Sequence, residues 1–257
     1  MPRPVRAFNS LLPKGWGDAL RQLAFFFFSY QGYQVVRGLS EGREDLAFDN
    51  AHHLIGIERS LGTFFEASFQ QSLLDDRWVI DVANWMYVNT HYVITTSFIV
   101  WLYLFRNEHF YFVRNMFVVA MGIALLGYSA FPTAPPRFLA DLGFTDTIAA
   151  FTAVEQDSKA ISLLVNQYAA VPSMHIGFAL MIAVPGIRLC QSLVARALWS
   201  GYPVMVFFVI VITANHFWLD AAAGALAAAA AAVTAQQLAR LRPQAWSWRG
   251  APEQAAA

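Results

Sequence analysis

The sequence is short of charge and nearly devoid of cysteine. Charged residues make up only 13% of its 257 positions, against about 25% in ordinary soluble domains, which argues against a conventional cytosolic enzyme. A disordered chain needs low hydrophobicity and high net charge; here 57% of residues are hydrophobic and the 17 basic and 17 acidic side chains cancel. The same balance leaves no basic excess to attract nucleic acid. The single cysteine, Cys190, excludes an intramolecular disulfide framework and has no partner for a thiolate metal site. A cleavable leader is not expected either, because the four phenylalanines at 25–28 are followed by bulky Tyr and Gln rather than a small-residue cleavage site.

What the sequence does have is long apolar stretches. A helical span needs about 20 residues, and six segments qualify: about 20–36, 78–105, 110–131, 174–189, 198–213 and 217–238. The expected fold is all-α, a polytopic six-transmembrane-helix bundle forming a single membrane domain over 1–257. The first segment is the most polar, carrying Gln22, Gln31 and Gln34. The sixth is alanine-rich from Ala221 to Ala232, and small side chains let helices approach closely in lipid.

Charge placement orients the bundle. With the N-terminus cytoplasmic, Arg37, Arg43, Arg59, Arg77, Arg137 and Lys159 fall outside and the other 11 of the 17 basic residues fall inside, as the positive-inside rule requires. Both termini are then cytoplasmic, and the long connections at 37–77 and 132–173 face outward. The stretch 48–74 is too polar to span. It reads as amphipathic helices with Leu54, Ile57, Leu61, Phe64, Phe65 and Phe69 on apolar faces. Two placements stand open for it: flat on the outer membrane surface, or packed as an ordinary loop.

Ionisable and polar groups near a bilayer are functional candidates by default, and three clusters share the outer side. In Pro132-Thr-Ala-Pro-Pro-Arg137, prolines stiffen the loop that presents a guanidinium, a planar fork matched to phosphate oxygens. In Val171-Pro-Ser-Met-His175, Pro172 and Ser173 are helix-start residues, so free N–H groups, a hydroxyl and an imidazole gather at one helix end. In Thr213-Ala-Asn-His216-Phe-Trp-Leu-Asp220, the histidine and aspartate are four apart and share a helical face. The carboxylate can hold one imidazole nitrogen and leave the other nucleophilic. Each cluster alone has a plain structural reading: a snorkelling arginine, a helix cap, or a His–Asp staple. Together they supply the parts for handling a phosphate without metal. One imidazole attacks phosphorus, the other protonates the departing oxygen, and the arginine and N–H groups hold the equatorial oxygens. That assignment places the two imidazoles facing each other across one phosphorus atom. Asp81, Asn84, His91 and Thr95 fall on roughly one face of the second span. They form either the polar wall of a cavity or an interhelical hydrogen-bonding strip.

These motifs resemble the type 2 phosphatidic acid phosphatase superfamily of membrane enzymes. Pro172, Ser173 and His175 match its Pro-Ser-x-His motif, with Met174 where glycine is usual; His216 and Asp220 match its His-xxx-Asp motif, in the family's order after the arginine motif. The resemblance covers a catalytic core of about 110–238. It implies His216 as nucleophile, Asp220 as its orienter, His175 as general acid/base and Arg137 as a phosphate ligand, with a phosphohistidine intermediate and no metal or other cofactor. The sequence departs from the pattern where the family has a lysine seven before the motif arginine (Ala130 here) and an arginine six before the motif histidine (Ile210 here). Fewer cations suit a singly charged phosphodiester better than a dianionic phosphomonoester. Thr213-x-x-His216 and Gly56-Ile-Glu58-Arg-Ser-Leu-Gly62 are similar to the inositol-phosphorylceramide synthase branch, whose members move a phosphoryl-alcohol headgroup between lipids.

The expectation is therefore an integral, multi-pass enzyme, placed at the plasma membrane with an outward-facing site. It would transfer a phosphoryl headgroup, such as inositol phosphate, from a phospholipid donor to a lipid or polyol alcohol. Arg137, Ser173, Asn84 and His91 would bind substrate, and nucleic acid is no partner. A lipid or isoprenoid phosphate phosphatase, a metal-dependent hydrolase, and a non-catalytic transporter or scaffold are the rivals.

Overall fold

The computed structural model describes residues 12–38, 43–152 and 167–241. Lys159 and both chain ends, which enter the charge argument, lie outside them. The described chain is helical: α1 Gly15–Gly38, α2 Glu44–Ser60, α3 Glu66–Gln71, α4 Arg77–Trp85, α5 His91–Phe105, α6 Asn107–Ala130, α7 Thr147–Thr152, α8 Met174–Leu189, α9 Leu193–Ile212 and α10 Trp218–Leu241. A π-helical turn, Met86–Thr90, joins α4 to α5 as one continuous rod. Among the described residues there is no strand, only an isolated bridge between Thr133 and Ala169.

Four helical units are long and apolar enough to cross a bilayer: Arg77–Phe105, Asn107–Ala130, Leu193–Ile212 and Trp218–Leu241. These are the attributes of an integral membrane protein. Helix α8 is apolar but has only 16 residues. Helix α1 has the length, 24 residues, but is not among the four. Its polarity has a structural cause. Leu20, Leu23, Phe27 and Phe28 point outward while Gln22 is buried, and the Gln22 side-chain oxygen accepts from Arg114 Nη1 at 2.7 Å. Arg114, counted above among the inner-side charges, is instead buried within α6, where Asn115 Oδ1 accepts from its Nε and Nη2. Asp18 of α1 completes the joint by accepting from the Tyr103 and Tyr111 hydroxyls. A polar group withdrawn from water must be paired inside the protein, so the glutamine serves a buried arginine.

The main core lies between α5, α6, α8, α9 and α10 and includes Leu102, Ala120, Ala179, Ile182, Ile210 and Ala231. The alanine-rich helix packs against α6 and α8, as its small side chains predict. The closest approach is at Gly224, where a Cβ would stand 2.1 Å from the Ser173 carbonyl oxygen. Only glycine lets α10 pass so near the turn that opens α8. A second core, with Ala47, Leu54, Ile55, Leu139, Phe144 and Phe217, joins α2, the connection after α6 and the turn before α10. Helices α2 and α3 thus pack into the protein through Leu54 and its neighbours, while Ile57, Leu61 and Phe65 remain exposed. Of the placements left open for 48–74, packing is seen on one face, and another face leaves apolar side chains exposed.

Candidate active site

Helix α9 ends at Ile212 because the chain reverses. Ala214 takes a left-handed φ of 50°, and the N–H groups of Asn215 and His216 both return to the Ile210 carbonyl. A non-glycine residue there costs roughly 1 kcal/mol, and the turn points His216 inward just before α10 begins. Asp220, one turn further on, accepts at Oδ2 from His216 Nδ1 at 3.2 Å and from the Phe217 N–H at 2.9 Å. His216 and Asp220 are both buried. With Nδ1 committed to the carboxylate, Nε2 keeps its lone pair.

Nε2 of His216 lies 3.4 Å from Nδ1 of His175. His175 is in the first turn of α8, and that turn is docked on α10 by the Ser173 N–H, which donates to the Asp220 carbonyl at 3.0 Å. The pair expected to face each other across a phosphorus atom is therefore in direct contact. His175 is stacked on Tyr87, with ring centroids 4.6 Å apart, and abuts His91 at 4.8 Å.

Arg137 follows the stiff Pro132–Pro136 turn, and its backbone N–H donates to the Ala214 carbonyl at 2.8 Å. This ties the arginine loop to the histidine turn. Its guanidinium, 11% exposed, donates through Nη1 to Asn215 Oδ1 and lies 3.8 Å from Asp146. Its charge acts on the Tyr87 hydroxyl and on His175. Arg137 Nε and Ser173 Oγ are buried with no hydrogen-bond partner among the described residues. Arg137 Nε faces the Asp146 carboxylate at 3.8 Å, whereas Ser173 Oγ is a buried hydroxyl of a kind ordinarily satisfied, placed two residues before His175.

Of the residues singled out above, His175, Ser173, Arg137, His216 and Asp220 come together. His91 lines the small cavity beside His175, with Tyr87, Met205 and Val209 among its neighbours. Asn84 does not reach the pair: its amide donates to the Thr147 carbonyl and its carbonyl accepts from the Thr147 hydroxyl, both at 3.0 Å. Asp81 is exposed, while Thr95 is buried. The π-helical turn between Asn84 and His91 breaks the regular helical register on which a single polar face depends.

Sequence reasoning gave no site role to Tyr87, Asn215, Glu58 or Glu66, although Glu58 stands in the Gly56–Gly62 stretch quoted above. Asn215 had a signal, since it lies inside the Thr213-Ala-Asn-His216 cluster. Its amide donates to the Thr213 hydroxyl at 2.8 Å, which turns its oxygen toward Arg137. Tyr87 had no signal, being one tyrosine in an apolar helix. Glu58 accepts from the Leu219 N–H and Glu66 from the Trp218 N–H, at the start of α10. Both carboxyls lie outside the spanning helices. Burial is the largest cause holding Glu58 up at about 8, with the neighbouring Glu66 charge adding to it; burial likewise raises Glu66.

The fold and site together describe a helical membrane protein with a histidine pair, His216 buried and His175 half-buried. The family model for the PAP2 superfamily matches residues 52–234, so this chain belongs to the PAP2 superfamily. Membership in this superfamily points to phosphatase or phosphotransferase activity on lipid phosphates. No curated protein and no solved structure gives a significant match.

Proposed function

We propose that the protein is a lipid phosphotransferase working through a phosphohistidine on His216. The observation that carries this reading is the His216 ring, held at Nδ1 by Asp220 and facing His175 with Nε2. A lipid phosphodiester binds with its oxygens toward the Arg137 guanidinium, Ser173 Oγ and the start of α8. Nε2 attacks phosphorus as the bond to the leaving oxygen breaks, and His175 Nδ1 gives that oxygen its proton. An acceptor alcohol then loses its proton to His175 and attacks phosphorus, the P–N bond breaks, and His216 is regenerated.

No lysine or arginine occupies positions 130 and 210, and Ile210 is wholly buried in the apolar core. Arg137 is the one member of the family's cationic set retained here, which suits a monoanionic diester such as an inositol-phosphate headgroup donor. Water in the acceptor's place makes the same site a phosphatase, and the superfamily match supports that second reading. In the bilayer, α1 and α8 join the four long apolar helices as six spans. The site lies on the outer side of the plasma membrane, and both termini are cytoplasmic.

The test incubates purified protein with headgroup-labelled phospholipid vesicles and follows label on the protein and in the products. Expected are an acid-labile, base-stable label absent from His216→Ala, a strongly lowered rate in Asp220→Asn, and no effect of a chelator. Full turnover by His216→Ala overturns the assignment. Loss of stability without any catalysis to lose favours the transporter or scaffold.

A further inference from the structure

The mechanism above uses neither Glu58 nor Glu66, yet both are completely buried. A helix N-terminus leaves its first N–H groups without intrahelical partners. At the start of α10, three carboxyl groups take them. Asp220 Oδ2 accepts from Phe217 N–H at 2.9 Å, Glu66 Oε1 from Trp218 N–H at 2.9 Å, and Glu58 Oε1 from Leu219 N–H at 3.2 Å. Two of the three come from the outer loop, more than 150 residues away in sequence. The loop between them is shaped to the same helix end: Thr63 donates its N–H to the Glu58 carbonyl at 2.8 Å, and its hydroxyl accepts from Trp218 Nε1 at 3.2 Å.

Three carboxylates in one dry place repel one another, and the helix dipole offsets only part of that. A shared proton relieves it. Glu66 uses both oxygens as acceptors, the second from the Phe65 N–H at 3.0 Å, which is the pattern of an ionised group. Glu58 Oε2 is buried and accepts from nothing among the described residues, and Glu58 and Glu66 accept from adjacent N–H groups of one turn, those of Leu219 and Trp218. The charged groups acting on Glu58 are the acids Glu66 of α3 and Asp220 of α10; behind Asp220 stands His216.

We propose that Glu58 and Glu66 are positioning residues for the His216–Asp220 pair, a carboxyl couple sharing one proton that clamps the first turn of α10. Protonated Glu58 Oε2 donates to the Glu66 carboxylate, and each carboxyl holds one backbone N–H of the turn lying between His216 and Asp220. The inference rests on the assignment of His216 as nucleophile, because only then does the pair's alignment matter to catalysis.

The test is read without substrate, on the full-length protein in lipid nanodiscs. Infrared difference spectra between the wild type and Glu58→Gln should show, at neutral pH, the carbonyl stretch of one un-ionised carboxyl. That band should fade as the pH rises through about 8. Nitrogen NMR of His216 should show Nδ1 in the shift range of a bond to a carboxylate. The signal should persist in Glu58→Gln, whose amide keeps an acceptor for Leu219 and a donor for Glu66, and move toward the free-imidazole value in Glu58→Ala and Glu66→Ala. Absence of the carboxyl band at neutral pH, or an unmoved His216 signal in both folded alanine variants, overturns the clamp. If the alanine variants do not fold, the wild-type and Glu58→Gln spectra still decide the shared proton. The nucleophile assignment fails separately, if His216→Ala turns over in the vesicle assay while the band and the His216 signal behave as described.

Discussion

Gly224→Ala tests the crossing on which the site depends. The added methyl would stand 2.1 Å from the Ser173 carbonyl oxygen, 3.0 Å from its carbon and 3.4 Å from the Gly177 nitrogen. All three are backbone atoms, so no flexible side chain can yield. Ordinary contact begins near 3.4 Å, and α10 and the start of α8 must therefore separate by about 1 Å. Overpacking of this kind costs about 1–3 kcal/mol. The bond from Ser173 N–H to the Asp220 carbonyl crosses the same gap, and its loss adds about 1 kcal/mol. The functional effect is larger, because the separation moves His175 away from His216, and a misplacement of about 1 Å costs on the order of 10²-fold in rate. The assay pairs a thermal unfolding midpoint in detergent with the rate of label transfer from vesicles. Gly201→Ala is the control, since its methyl meets nothing within 4 Å; it should leave the rate unchanged and gain up to about 1 kcal/mol of helix propensity. A Gly224→Ala protein with wild-type rate and midpoint would refute the reasoning.

Asn215→Ala should release Arg137 from its partner and weaken substrate binding about tenfold, at roughly 1.4 kcal/mol for a charge-assisted bond; a KM unchanged in the vesicle assay contradicts this. Gln22→Leu leaves buried Arg114 short of one acceptor and should cost about 1–3 kcal/mol, read as a lowered unfolding midpoint with the site chemistry intact. Stability should also depend on pH through Glu58. Its proton is held at about 8 in the folded protein against 4.5 ordinarily, so the folded state binds the extra proton between those values. The Glu58 contribution is therefore greatest at or below 4.5, declines as the pH rises toward about 8, and is flat beyond. Glu58→Gln should flatten that part of the profile, and an unchanged slope counts against the assignment.

Hydropathy and motif order made the membrane class, the helical fold and the superfamily legible before any coordinates, because each is written in runs of neighbouring residues. His216 and Asp220 were legible as a pair because four residues is one helical turn. Spacing says which residues share a face, but it does not name what stands opposite. Only the tertiary structure sent Asn84 to Thr147 rather than to the site, turned Gln22 toward a buried arginine, and brought Tyr87 against His175. The same holds for the carboxylates. Glu58 stood in a motif that says nothing of its partner and Glu66 in no motif, and only packing against the first turn of α10 gives their oxygens N–H groups to hold. The reason is physical: a buried polar atom takes whichever partner the fold places within about 3 Å, and that partner can lie anywhere along the chain.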